Sequence, residues 1–200
     1  MLSINPIQLR GNWEKGYALD KHTVSSELIG YDEFGRERFD TERTEIGEAL
    51  FRLKYRAARS AISDILDAAA SFLTDTWRIS GKLDCVVYVP PSNTGRSIQP
   101  VIEIAKGISE RLKILLYEHS LIKIKETPEL KNVYEYDERL KLLECAFGVR
   151  GSTLKGKRVL LFDDLYRSGA TLEAITKVLY KEGSVKAVYV LCLTKTRSKS

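Results

Sequence analysis

Hydrophobic residues recur along the chain with two different spacings, and the alternation between them sets out its elements. Asp84-Cys-Val-Val-Tyr-Val-Pro90 is a short continuous apolar run. Such a run predicts a strand buried on both faces, as in a parallel sheet. Lys113–Tyr117, Arg158–Phe162 and Val185–Leu193 predict three more strands, with Asp163-Asp164 at the carboxyl end of the third. Between them the spacing turns helical. From Thr44 to Thr76 apolar residues fall at Ile46, Leu50, Leu53 and Ala57, then at Ile62, Ile65, Leu66, Ala69, Phe72 and Leu73. Thr44 is the expected cap and Ser60 the expected break into two helices. A second helical stretch carries Val101, Ala105, Ile108 and Leu112 on one stripe, with Pro100 tolerated in its first turn. A third starts at Ser168, points Leu172, Ile175 and Leu179 inward and stops at Gly183. Residues 119–145 are charged, contain Pro128 and are partly helical.

Strand, helix, strand, long excursion, strand, helix, strand predicts an α/β fold with a mostly parallel twisted sheet flanked by helices. Ligands of such sheets bind beyond the carboxyl ends of the strands, which directs attention to loops 89–97 and 163–171. The first 45 residues predict a small antiparallel piece: short strands at Tyr17–Leu19 and Glu27–Ile29, and a turn at Asp32–Gly35. The expected organisation is an N-terminal segment 1–43, an α/β core 44–195 and a basic tail 196–200.

Composition narrows the classes of function. At 200 residues, 44% hydrophobic and 30% charged, the chain can bury a core without disulfides or metals. Cys85, Cys145 and Cys192 form no CxxC, and His22 and His119 stand alone. A zinc ribbon and a His-rich metal site are excluded, so any metal would be a hard cation held by oxygens. Cys85 and Cys192 are expected as buried free thiols. No apolar run is long enough to cross a membrane and no signal peptide is visible, which points to the cytoplasm. The net charge of +5 suits a polyanionic partner, nucleic acid or phosphorylated small molecule, and a solvated basic surface accounts for it equally well. Arg52, Lys54, Arg56 and Arg59 read as a solvated helix face rather than a phosphate contact.

The most restrictive segment is Leu160-Leu-Phe-Asp163-Asp164-Leu-Tyr-Arg167-Ser168-Gly169-Ala170-Thr171-Leu172. An apolar strand delivers two carboxylates, and a turn of small residues opens a helix. Ser168–Thr171 would offer backbone N–H groups and hydroxyls at the positive end of the helix dipole, where phosphate binds. Asp163 and Asp164 would accept from two neighbouring hydroxyls. A phosphate at one end and a vicinal diol at the other describe a ribose 5-phosphate.

This segment resembles the phosphoribosyl-diphosphate (PRPP) motif of type I phosphoribosyltransferases. Val89-Pro-Pro-Ser92-Asn93-Thr-Gly95-Arg96 with Gln99, the stretch from Lys125-Glu-Thr-Pro128 through Glu138-Arg139 to Ala146-Phe147, and Leu53-Lys54-Tyr55-Arg56 are similar to the ComF-like branch. The resemblance spans about residues 44–195. It implies a type I phosphoribosyltransferase-like fold with 1–43 as a small hood-like segment over the acceptor. It implies Asp163 and Asp164 as the catalytic acids on the ribose, and Arg167, Ser168, Gly169, Ala170 and Thr171 on the 5-phosphate. Ser92, Asn93, Arg96 and Lys125 fall to the pyrophosphate, with Lys123 and Lys131 as further candidates. Mg²⁺ is the implied cofactor, carried by PRPP, with Asp163 or Asp164 as its candidate protein ligands. Pro90-Pro91 restricts its loop and invites unusual peptide geometry there.

The chain departs from the ComF-like pattern in three places. It lacks the usual N-terminal zinc ribbon, Leu142 stands where Asn is typical, and Leu130 where Gln is usual. Arg167 occupies the place where oxopurine salvage enzymes carry an acid, which argues against hypoxanthine or guanine as acceptor.

The resemblance implies transfer of phosphoribosyl to a nucleobase or another nitrogenous acceptor, with release of pyrophosphate. The other reading on the same fold is a non-catalytic PRPP- or nucleotide-sensing regulator, or a nucleic-acid-associated accessory protein of competence or defence type. The basic charge admits nucleic acid, but no binding motif for it is visible. A homodimer is the expected assembly, and residues 119–137 are expected to close over the ligand.

Overall fold

The computed structural model describes residues 2–92, 95, 97–125, 136–143 and 145–197. Ten strands and five α-helices follow one another along them. The central sheet has six strands: β1 (Ile7–Leu9), β2 (Lys15–Lys21), β10 (Ala187–Lys195), β9 (Arg158–Tyr166), β5 (Cys85–Tyr88) and β6 (Leu115–Leu116), in that spatial order. All neighbours pair in parallel except β1 with β2. This is the mostly parallel α/β architecture that the apolar runs predict. The expected strand at 113–117 shrinks to two residues, because Lys113 ends the preceding helix in a left-handed conformation (φ 54°).

Helices cover both faces of the sheet. On one lie α1 (Glu45–Arg56), α2 (Ser60–Ser71) and α3 (Pro100–Leu112). Leu50, Leu53, Ile65 and Ile104 pack there against Leu160, Phe162 and Leu191. On the other, α5 (Ala170–Lys181) sets Leu172, Ile175 and Leu179 against Val159, Leu161, Val188 and Val190. The helix α4 (Tyr136–Leu143) and the small sheet of β7 (Leu121–Lys123) and β8 (Phe147–Val149) complete the core sequence. Thr44 caps α1 as expected, its hydroxyl accepting from the Gly47 amide at 3.1 Å. A Cβ at Gly47 would stand 2.2 Å from the carbonyl oxygen of His22, so this glycine lets α1 press against the end of β2.

Residues 1–43 serve two sheets. β3 (Thr23–Tyr31), which contains the expected strand at Glu27–Ile29, forms an antiparallel hairpin with β4 (Glu37–Arg43), a strand not expected from the sequence, and turns through Asp32–Gly35 as expected. β1 and β2 instead extend the central sheet, with β2 parallel to β10 through pairs such as Tyr17 with Leu191. The hairpin leaves the sheet at the carboxyl end of β2. Val24, Ile29, Tyr31, Phe34 and Phe39 on it are each at least half exposed. Among the described residues no helix is long and apolar enough to cross a membrane.

Candidate functional site

Three adjacent strands, β5, β9 and β10, run parallel, so their carboxyl ends lie at one edge of the sheet. Tyr88 pairs with Phe162, and the Val89 amide donates to the Phe162 carbonyl at 2.9 Å, so the loop after β5 starts one residue from Asp163. Every peptide bond in the described residues is trans, Pro90-Pro91 included, which corrects the unusual geometry expected there. Ser92 is exposed; Asn93, Arg96 and Lys131 lie outside the described residues, as does most of the segment expected to close over the ligand.

β9 does not stop at Phe162. It keeps pairing with β10 through Asp163–Cys192 and Leu165–Thr194 as far as Tyr166. Strand alternation therefore acts on the two acids and sends them to opposite faces. Asp163 falls on the side of Val159 and Leu161, facing α5, and Asp164 on the side of Leu160 and Phe162, facing α1. The expectation of two acids gripping one diol side by side meets this geometry instead. Asp163, with Leu165 and the residues Tyr166 to Leu172, lines an open concavity of about 80 Å³.

The floor of that concavity is the start of α5. Gly169 is its N-cap residue, held at φ 88°, and has no side chain to cap the first amides. The Ser168 hydroxyl approaches the Ala170 amide at 3.5 Å. The backbone twist favours glycine, and a Cβ there, 2.6 Å from the Tyr166 hydroxyl, would have to displace the end of that side chain. Amides at a helix start whose N-cap residue has no side chain, with the exposed Arg167 beside them, suit an anion. Arg167, Ser168, Gly169, Ala170 and Thr171 are thus brought together with Asp163. Lys125, just beyond β7, is exposed and does not line this concavity.

Burial and the neighbouring Asp164 charge push the Asp163 carboxyl up to about 7, although the Asp164 amide donates to its Oδ1 at 2.8 Å. Beneath it, burial holds the Cys192 thiol well above its usual range, and the same cause pushes Cys85 up to about 12. Both cysteines are buried free thiols, as expected.

On the α1 side, Lys54 Nζ stands 2.8 Å from Asp164 Oδ1, with side chains 11% and 16% exposed. His22 joins them: its Nδ1 lies 3.1 Å from the Thr194 hydroxyl, which donates to the Asp164 carbonyl at 3.4 Å. Burial, then the Lys54 and Arg43 charges, lower the His22 pKa. Lys54 corrects the reading of the 52–59 cluster as a solvated face; Arg52, Arg56 and Arg59 are exposed, but Lys54 is not one of that set. The usable signal was position. Lys54 follows Leu53 and lies one turn from Leu50, both buried, so it borders the apolar stripe.

No family model matches the chain. Over 80 residues it is 36% identical to the competence protein ComFC of Bacillus subtilis, a match covering 40% of this chain and 31% of that protein. The chain thus spans about a third of the length of that relative. Among solved structures it is similar to a purine phosphoribosyltransferase from Pyrococcus horikoshii (22% identity, 67% of this chain and 72% of that one, TM-score 0.41). It is also similar to the adenine phosphoribosyltransferase of Saccharomyces cerevisiae (11% identity, 88% and 94%, TM-score 0.48). The resemblance to ComF-like proteins read from the motifs and the partial match to ComFC agree.

Proposed function

We propose that this chain binds a phosphorylated ribose, PRPP in the first place, and transfers its phosphoribosyl group to a nitrogenous acceptor. One observation carries the reading: the start of α5, with glycine at its N-cap, and Asp163 line a single concavity. An anion at the amides and a hydroxyl at the acid are the two ends of a ribose 5-phosphate. The 160–172 motif and the partial likeness to ComFC support it.

In this reading Arg167–Thr171 hold the 5-phosphate and Asp163 accepts from a ribose hydroxyl. The acceptor nitrogen gives its lone pair to the anomeric carbon, and the proton it carries is released to water. The bond from that carbon to the pyrophosphate oxygen breaks, and its electron pair leaves with pyrophosphate. The chain's contribution in this reading is to orient the two partners for in-line approach. Ser92, Asn93, Arg96 and Lys125 are proposed for the leaving group on sequence resemblance. The β3–β4 hairpin, beside the end of β2, is the part of 1–43 proposed as the hood.

Hard oxygen donors fit Mg²⁺, and among the described residues no group of three or more ligating side chains forms a cage for it. In this reading the ion is held chiefly by the phosphosugar, with Asp163 as the protein carboxylate on that side. When bound it would offset the charge of the departing pyrophosphate.

The test is pyrophosphate release from PRPP and Mg²⁺ across a panel of nucleobases. Release with one base supports a transferase. Saturable PRPP binding without release supports the nucleotide-sensing alternative, and absence of PRPP binding contradicts both.

A further inference from the structure

Of the ten large apolar side chains that stand exposed among the described residues, six belong to the β3–β4 hairpin, and another, Tyr55, lies on the outer side of α1. The strand register sorts the hairpin into two sides. Leu28 sits opposite Phe39 on one, and Glu27 sits opposite Asp40 on the other. Two carboxylates facing each other across a ladder weaken it unless a cation joins them. Among the described residues no cation forms an ion pair with either. Residues 23–43 hold six acids against three arginines, a net −3 in a chain of +5.

The outer side of α1 carries the opposite sign. The two acids of this helix are engaged, Glu45 accepting from the Ser3 amide at 2.8 Å and Glu48 meeting Arg43 at 3.5 Å. Arg52 and Arg56, one turn apart and exposed, form no ion pair among the described residues. Arg56 stands 5.7 Å over the Phe51 ring, and the Tyr55 ring lies 5.0 Å from the same ring. Hairpin and helix therefore share aromatic surface and uncompensated charge, with opposite signs. They also adjoin, since β4 ends at Arg43 and α1 starts at Glu45. A two-fold interface needs two such surfaces side by side, because each copy gives one and receives the other.

We propose that two copies of this chain join about a two-fold axis, the hairpin of each lying along α1 of the other. The expected homodimer thereby acquires its surfaces. Hairpin on hairpin would set acid against acid, and α1 on α1 arginine against arginine; the crossed arrangement matches the signs. Because α1 also holds Asp164 through Lys54, each hairpin stands one helix away from the candidate site of the other copy. The proposal does not depend on the phosphoribosyl reading.

Sedimentation velocity of the full chain over a range of concentrations tests it. The wild type should reach the mass of two chains. Glu37→Lys with Asp40→Lys and Glu42→Lys turns the hairpin from −3 to +3, and Arg52→Glu with Arg56→Glu reverses α1. Each reversed chain alone should be a monomer. Mixed, the two should form a heterodimer, because one contact then joins two reversed surfaces and the other joins two original ones. A monomeric wild type overturns the proposal and leaves the hairpin to a different protein. A reversed chain that still dimerises, or a mixture that does not, overturns the crossed arrangement. All five altered positions are exposed, and Asp40→Lys gives Glu27 a counter-charge, so the hairpin should hold. Should a reversed chain fail to fold, Asp40→Asn and Arg56→Gln take their place. Each should raise the dimer dissociation constant about fivefold, since every contact occurs twice. No change in either variant overturns the proposal. Ligand binding enters none of these outcomes, so a failure here leaves the phosphoribosyl reading untouched.

Discussion

Lys54 on α1 and Asp164 on β9, 110 residues apart in sequence, form an ion pair at 2.8 Å with less than a fifth of either side chain exposed. The pair fastens the first helix of the core to the strand that carries the candidate site. Removing one partner leaves a desolvated charge, whereas removing both leaves none. Lys54→Met should therefore cost about 2–4 kcal/mol of unfolding free energy, measured by urea denaturation at neutral pH. A loss below about 0.5 kcal/mol, the scale of an exposed pair, would show that the contact does not hold in solution.

Asp163 makes stability depend on pH in the unusual direction for an acid. Its carboxyl is raised to about 7 by burial and by Asp164, from 3.8 in the unfolded chain. Below about pH 4 both states hold the proton and there is no penalty. Between 4 and 7 the unfolded chain ionises first, so stability falls as pH rises. Asp163→Asn should then be more stable than the wild type at pH 7.5, by about 1–3 kcal/mol, and equal to it at pH 4. Denaturation midpoints of both proteins across pH 4–8 check this; a constant difference would remove Asp163 as its source.

Much of this was legible in the sequence because the inner strands are continuous apolar runs. Cys85–Tyr88, Arg158–Phe162 and Val185–Leu193 can hardly be anything but central strands. β2 was harder. Lys15-Gly-Tyr-Ala-Leu-Asp-Lys carries charged ends and only a short apolar middle, and its place beside β10 is fixed by pairing with a segment some 170 residues away. The acid pair was legible as a candidate, but its geometry was not. Two polar residues after an apolar run look like the end of a strand, and only the continued pairing of Leu165 with Thr194 shows that alternation still applies. Lys54 was hidden for a similar reason: a lysine at the border of a helix stripe turns in or out according to what waits for it across the fold.

At the opposite end of β9, Arg158 grips Asp84 through its Nε at 3.0 Å, its Nη2 at 2.8 Å and its backbone amide at 2.7 Å. The Arg158 hydrogen bonds, side chain first, depress the Asp84 carboxyl to about 2. Here the sign is the usual one. The contribution is present above about pH 4 and is lost as pH falls toward 2. Both side chains are about a third exposed, so solvent screens the pair. Asp84→Asn should cost about 1 kcal/mol at pH 7 and nothing near pH 2, read from acid denaturation curves. A deficit that persists at pH 2 would mean that packing, not charge, is responsible.

Gly169 tests the cradle from the side of its backbone. At φ 88° and with the Tyr166 hydroxyl 2.6 Å from the place of a Cβ, Gly169→Ala must twist the start of α5 or displace the end of that side chain. We expect about 1–3 kcal/mol of destabilisation and a matching loss of inorganic phosphate binding. An alanine variant that binds phosphate as the wild type does would show that these amides are not the anion site.

The central claim is that Asp163 and the 167–171 turn hold the two ends of one phosphorylated ribose. The most direct measurement is the heat of binding of ribose 5-phosphate to the wild type and to Asp163→Asn, with inorganic phosphate titrated in parallel. The account predicts that the wild type binds the sugar phosphate more tightly than phosphate. It predicts that Asp163→Asn loses about tenfold or more of that affinity, the value of a charge-assisted hydrogen bond, and keeps its phosphate binding. Equal ribose 5-phosphate affinity in the two proteins, or none in the wild type, would contradict it.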